Sequence, residues 1–279
     1  MTASMAAFTF NDTLMKMMAG AVPLYQVLFL RGLMTTVMVA VIAWKMGALT
    51  VSIPSKDRLL ILLRSLADTG AAFFFLTALF NMPLANVTAI LQALPLTITL
   101  AAWAVLGEPV GWRRFAAIAV GLIGVLLIIR PGAADFTIYS LYGLGAVACV
   151  TARDLLTRSM TNAVPTMLVV LANSATIMVV FGLMTWPADW VEMTPDTWAL
   201  TIGAALFIIL AYLFSILVMR VAEISFVAPF RYTGLLWALI LGYVVFGDWP
   251  APLTLLGAGI VVASGLFTLY RETRASRAK

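Results

Sequence analysis

The residues able to do chemistry in this sequence are ionised side chains set inside apolar runs. Asp12, Lys16, Arg31, Arg64, Asp68, Arg153, Asp154, Arg158 and Arg231 all lie in long stretches of Ala, Leu, Ile, Val, Phe and Met. A charge at membrane depth is costly unless paired or hydrated, so such residues mark solute pathways, ligand contacts or ion pairs. Asp12 with Lys16, Arg64 with Asp68, and Asp154 with Arg158 stand four residues apart and would share a helix face. On one reading each pair neutralises itself near the membrane surface, with the long Lys16, Arg64 and Arg158 side chains snorkelling out. On the other, the shorter and deeper Asp12, Asp68 and Asp154 meet a solute or a coupling proton. Arg31 either anchors the outer end of its span or guards the outer opening. Arg231 follows Pro229 into an apolar run, where a guanidinium needs a carboxylate partner or an anionic group on a ligand. Tyr232 beside it and Trp237 further on suit stacking against a planar solute. Asn86 and Gln92 occupy the matching neighbourhood of an earlier run, and Tyr25 and Gln26 follow Pro23 toward the expected cavity.

These groups bind; they do not make bonds. The sequence has no histidine, no Gly-x-Ser-x-Gly and no G-x-x-x-x-G-K-[ST] phosphate loop, which removes His relays, Ser-His catalysis and self-supplied ATP drive. Cys149 is alone and reads as a small apolar core residue. Met15, Met17 and Met18 read as packing or lipid-facing residues, so neither a metal nor a cofactor is expected.

The elements that must hold these residues are membrane helices. The chain is 63% hydrophobic and 10% charged, with mean hydropathy +1.06. A soluble domain carries about 25% charge, so lipid must be the solvent for this one. The apolar runs do not alternate, which excludes a β-barrel. Ten segments emerge, at 1–19, 22–44, 59–80, 84–106, 113–130, 138–157, 165–185, 197–219, 225–246 and 252–270. The fold class expected is an all-α integral membrane protein of ten transmembrane helices in two inverted five-helix repeats. No cleavable signal peptide is read at the start, and the short lead into the first span suggests a trimmed N-terminus.

The net charge of +5 does not indicate nucleic acid, because the basic residues lie at span ends. With both termini inside, the inner face carries Lys45, Lys56, Arg58, Arg113, Arg114, Arg158, Arg220, Arg271, Arg274, Arg277 and Lys279. The outer links carry only Arg130, with Lys16 near the outer end of the first span, and the link WPADWVEMTPD is acidic. Lys and Arg favour the cytoplasmic side, so a cell (inner) membrane location with both termini cytoplasmic is expected.

Two alignments within the chain indicate duplication. An offset of 142 sets Asp12 on Asp154, Lys16 on Arg158 and Pro23 on Pro165. In the fourth and ninth runs, Val87 meets Val227, Gln92 meets Tyr232, Leu91 meets Arg231 and Gly107 meets Gly247. The repeats are placed at 1–132 and 137–272, with a basic tail at 273–279. Five is odd, so the second copy enters the membrane upside down, as in many secondary transporters. Gly121, Gly124, Gly257, Gly259 and Gly265 read as places of close helix approach.

The chain resembles the drug/metabolite transporter superfamily, of the EamA type. The residues that carry the likeness are Pro23 with Phe29-Leu30-Arg31-Gly32, then Ala85-Asn86-Val87 through Pro95 to Gly107-Glu108-Pro109. Gly121-x-x-Gly124-Val125 to Arg130-Pro131 continues it, and Ala228-Pro229-Phe230-Arg231-Tyr232 to Gly247-Asp248-Trp249-Pro250 closes the second half. Asp12, Lys16, Arg31 and the Arg231-Tyr232 pair look most like the branch holding riboflavin importers and S-adenosylmethionine transporters. The resemblance implies an alternating-access carrier, secondary-active or facilitative, for a small polar or charged organic metabolite. A proton or a counter-substrate is allowed as coupling partner, and a homodimer is allowed. A channel, a non-transporting scaffold, and an exporter of drugs or amino acids stay open as alternatives.

Overall fold

A computed structural model of the protein describes residues 1–47, 53–107, 110–131, 137–161, 164–186, 190–221 and 228–277. The regular structure among the described residues is all helical, with no strand. The helices are α1 (Thr2–Met17), α2 (Leu24–Lys45), α3 (Ser55–Asn81), α4 (Leu84–Leu91), α5 (Leu94–Leu106), α6 (Trp112–Ile129), α7 (Ile138–Arg158), α8 (Thr166–Thr185), α9 (Pro195–Val221), α10 (Thr233–Phe246) and α11 (Pro252–Arg277). A 3-10 turn, Ala228–Tyr232, leads into α10.

Seven crossings are long and apolar enough to span a bilayer, with α4 and α5 counted together as Leu84–Leu106. The other three are α1, α10 and α7. The first two are short, and α7 carries Arg153, Asp154 and Arg158. The protein is therefore a multi-pass membrane protein. Its surface agrees: Val105, Val244 and Leu183 are exposed by about 70%, which only a lipid solvent tolerates. The fourth run was expected as one helix and is two. Pro95 sits in the first turn of α5, where its missing N–H is harmless, and a tight turn at Gln92–Ala93 joins the pieces. The tenth helix runs past its expected end to Arg277.

Local sequence sets the helix limits. Pro23, Pro54, Pro83 and Pro165 each stand just before a helix in extended backbone, so no helix runs through them. Gly107 and Gly247, matched in the repeat, both close their helices in the left-handed conformation, at φ of 69° and 70°. Their surroundings differ in what is described, since Glu108 and Pro109 lie outside the described residues, as do Ala222 to Val227 at the start of the ninth run. Buried hydroxyls inside the helices are satisfied locally, as when Thr13 donates to the Thr9 carbonyl and Thr201 to that of Thr197.

The packing repeats with the sequence. The main contacts set α3 along α7, α1 along α9, α2 against α8 and α6 against α11. Lesser ones join α3 to α8, α2 to α9, α1 to α10, and α7 to α4 and α5. Exchanging each crossing with the one five places on maps this set onto itself: α3 with α7 becomes α9 with α1, and α1 with α10 becomes α7 with α4 and α5. Successive crossings alternate in direction, so this exchange inverts the halves.

Two apolar cores are built from the buried residues. The first includes Met15, Met18, Leu28, Leu79 and Phe181; the second includes Ile90, Leu96, Val125 and Val261. Met15 and Met18 are thus core residues, while Met17 is exposed. At the crossing of α6 and α11 a Cβ on Gly257 would lie 2.5 Å from the Gly124 carbonyl oxygen, so the backbones touch there. Gly259 has nothing within 4 Å and does not serve a helix contact as expected.

Candidate functional site

The expected pairs along single helices are not the ones formed for Asp12 or Asp68. Asp12 accepts a 2.8 Å bond from Asn11 Nδ2. Asn11 Oδ1 in turn accepts from Arg31 Nη1 at 3.1 Å, so a chain of polar groups joins α1 to α2. Arg31 is buried at 8% exposure and does not lie at the surface of its span. Lys16, expected beside Asp12, reaches instead to α3. Its Nζ donates to the Leu79 carbonyl at 3.2 Å and to that of Met82, closing the end of α3, and it lies over the Phe246 ring.

Asp68 finds its partner across the bundle. Arg153 Nη1 of α7 meets Asp68 Oδ1 at 2.8 Å, and the same guanidinium meets Asp154 Oδ1 through Nε and Nη2, each at 2.9 Å. The Asn173 side chain of α8 lies within interaction range of Asp68. Arg64, expected beside Asp68, donates Nε to Thr157 Oγ1 at 3.1 Å. One cation thus serves two carboxylates, and Arg153 is the residue that joins them.

The two halves carry the same parts in exchanged positions. The offset of 142 sets Asn11 on Arg153 and Arg31 on Asn173. In the first half the amide is on α1 and the guanidinium on α2; in the second the guanidinium is on α7 and the amide on α8. In both, the residue before the aspartate donates to that aspartate's Oδ1. Tyr212 of α9 lies between the sets, within electrostatic range of Asp68, Arg153, Arg64 and Arg31.

The network opens in one direction. Asp68 is 8% exposed, Arg153 22% and Asp154 24%, and Arg231 beyond them is exposed. Arg231 lies in range of Asp154, which attracts it, and of Arg153, which repels it. Aromatic rings flank Asn11 and Asp12. Phe8 meets Tyr212 edge-on at 5.5 Å, and Phe10 stacks on Phe207 at 5.1 Å with Trp237 tilted beside it at 6.5 Å.

The remaining candidates fall outside this centre. Gln26 is 1% exposed and clamps the link before α9, its Nε2 donating to the Val191 carbonyl at 2.6 Å and its Oε1 accepting from the Val191 N–H at 3.1 Å. Its amide is engaged there, where a place toward the cavity was expected. Tyr25 packs against the first apolar core. Tyr232 is buried, its hydroxyl without a partner and set in the notch that Gly265 leaves on α11. Asn86 Oδ1 is likewise buried without a partner. Gln92 is 8% exposed at the end of α4. Sequence reasoning missed Asn11, Asn173 and Tyr212 and left Arg153 out of the site. The repeat offset contained the signal for the two asparagines, because it sets each against an intramembrane arginine. No group of metal-binding side chains occurs among the described residues.

Comparison with known proteins sets this geometry in a family. The EamA-like transporter family model matches residues 1–130. A riboflavin transporter of Vibrio cholerae is 32% identical over 215 residues, 76% of this chain and 71% of that protein. An S-adenosylmethionine uptake transporter of Rickettsia prowazekii is 25% identical over 282 residues, 99% of this chain and 93% of that one. A solved crystal structure superposes with a TM-score of 0.62 at 20% identity, covering 94% of this chain and 93% of the other, a likeness of fold alone. The ten crossings in two inverted sets, the first-half match and the similarity to the Vibrio protein together establish that this chain belongs to the EamA-like transporter family.

Proposed function

We propose that the protein carries a small polar organic metabolite across the cell (inner) membrane by alternating access, with both termini cytoplasmic and repeats at 1–132 and 137–272. The observation that carries this is the doubled polar centre. Asn11, Asp12 and Arg31 belong to one half, and Arg153, Asp154 and Asn173 to the other, with Asp68 and Tyr212 between them. Rocking one half against the other would break and remake contacts at that seam, which is where a carrier of this architecture holds its solute.

The first set lies nearer the outer end of the bundle and the second nearer the inner end. Arg31 is about 10 Å along α2 from its outer start, and Asp154 about 6 Å from the inner end of α7. Exposed Arg231 offers a fork for an anionic or carbonyl-rich group, Asp154 accepts from a donor, and the Phe10–Phe207–Trp237 cluster offers ring faces. Such a set suits a planar heteroaromatic solute with polar substituents. The names of the two relatives, a riboflavin transporter and an S-adenosylmethionine uptake transporter, are consistent with that class. Asp12 is the group available for a proton.

Proteoliposomes containing the purified protein test this. Labelled riboflavin and S-adenosylmethionine are offered outside, with unlabelled compound inside. Saturable uptake and counterflow for one of them, weakened in Arg231→Ala and not in Arg220→Ala, is the expected result. Flux that does not saturate and shows no counterflow would make the protein a channel, and equal behaviour of the two variants would remove Arg231 from the site.

A further inference from the structure

A second binding feature lies away from the polar centre, on the outside of the bundle. Helices α6 and α11 touch at Gly124 and Gly257. Toward the start of α6, small residues on the two helices leave a groove of about 450 Å³ along their seam. Ala117 and Val120 of α6 and Ser264 and Phe267 of α11 wall it, and Trp112 and Arg113 stand at its end. The walls are almost wholly apolar, and Val120, Trp112 and Phe267 are 50%, 75% and 44% exposed, so the groove faces lipid.

Arg113 is exposed, and among the described residues it makes no ion pair or hydrogen bond. Its guanidinium lies 5.5 Å from the centroid of the Trp112 ring. Arg114 adjoins it, and both stand in the first turn of α6, at the end of that span. A cation held on an indole at the mouth of an apolar cleft has the form of one amphiphile. Its tail fills the cleft and its anionic phosphate meets the guanidinium. Basic pockets between membrane helices bind anionic headgroups by the same physics.

We infer that the α6–α11 groove is a binding site for an anionic phospholipid, with Arg113 as headgroup contact and Ala117, Val120 and Phe267 as acyl contacts. The lipid lies along the seam of the helix pair, beside its glycine contact. It does not depend on what the protein transports.

Native mass spectrometry of the full chain, freed of lipid in mild detergent and incubated with phosphatidylglycerol or phosphatidylcholine of matched chains, tests this. Phosphatidylglycerol is expected to stay bound and phosphatidylcholine to be held about fivefold less. Arg113→Gln should lower phosphatidylglycerol retention by about fivefold. Ala117→Trp, which fills the cleft, should abolish retention, and Lys56→Gln, an exposed basic residue elsewhere, should leave it unchanged. Equal retention of the two lipids, or an Arg113→Gln protein that holds phosphatidylglycerol like the wild type, overturns the assignment. So does displacement by inorganic phosphate with the Ala117→Trp protein still binding, which would make it a bare anion site. A wild-type dimer that Ala117→Trp dissociates without loss of lipid would instead give this face to a second copy of the chain.

Discussion

Replacing Arg153 with Gln removes the only cation hydrogen-bonded to Asp68 among the described residues. Asp68 becomes a buried carboxylate at 8% exposure with no ion-pair partner among the described residues. Breaking a buried pair by removing one member costs about 3–5 kcal/mol, because the other charge is left uncompensated. Asp154, at 24% exposure, can draw water and adds less. A loss near 3 kcal/mol corresponds to a fall of roughly 6–10 °C in midpoint for a chain of this size. The assay is tryptophan-fluorescence melting in detergent at a fixed scan rate, since unfolding of such a protein is expected to be irreversible. The double variant Asp68→Asn with Arg153→Gln should regain most of the loss, with a coupling of about 2 kcal/mol between the two sites. A single variant melting within 1 °C or so of wild type, or two changes that simply add, would refute the reading of Arg153 as the joint between the halves.

Gln26→Leu should cost about 1–2 kcal/mol through its two lost bonds and expose the Val191 amide, seen as faster hydrogen exchange in the link before α9. Unchanged exchange there would dissolve the clamp. Gly257→Ala drives a Cβ to 2.5 Å from the Gly124 carbonyl oxygen and should destabilise by about 1–3 kcal/mol, whereas Gly259→Ala meets nothing and should be neutral or stabilising. Melting temperatures of the pair, if alike, would contradict the close crossing. Tyr232→Phe deletes a buried hydroxyl without a partner, so stability should hold or rise by up to about 1 kcal/mol. A fall in melting temperature without ligand would show that the hydroxyl is bonded within the protein, and a fall in solute affinity alone would place it against the solute.

The sequence reading succeeded where one strong local rule decides. Apolar runs located the crossings, to within four residues of where α2, α3, α4 and α8 begin behind their prolines. The Gly107–Gly247 match became a matched left-handed cap. It failed over which partner each charge takes. Spacing of four residues makes Asp68 a neighbour of Arg64, but an arginine on a second helix can offer the same charge with better geometry. Which second helix comes near is settled by the packing of α3 on α7, and that is not written in either stretch alone. The Gln26 clamp was illegible for the same reason, since its partner lies 165 residues away in a link with no pattern of its own. In the fourth run Pro95 cannot donate to the Leu91 carbonyl, and the span breaks there into α4 and α5.

The exchange of amide and guanidinium between the halves has a thermodynamic meaning. Two identical inverted copies would have to visit conformations related by a two-fold axis and equal in energy, so a carrier built from them would idle evenly between its two faces. With Asn11 and Arg31 in one half against Arg153 and Asn173 in the other, that degeneracy is lifted. An imbalance of about 1.4 kcal/mol, no more than one hydrogen bond's worth, is enough to rest nine or more molecules in ten facing one side.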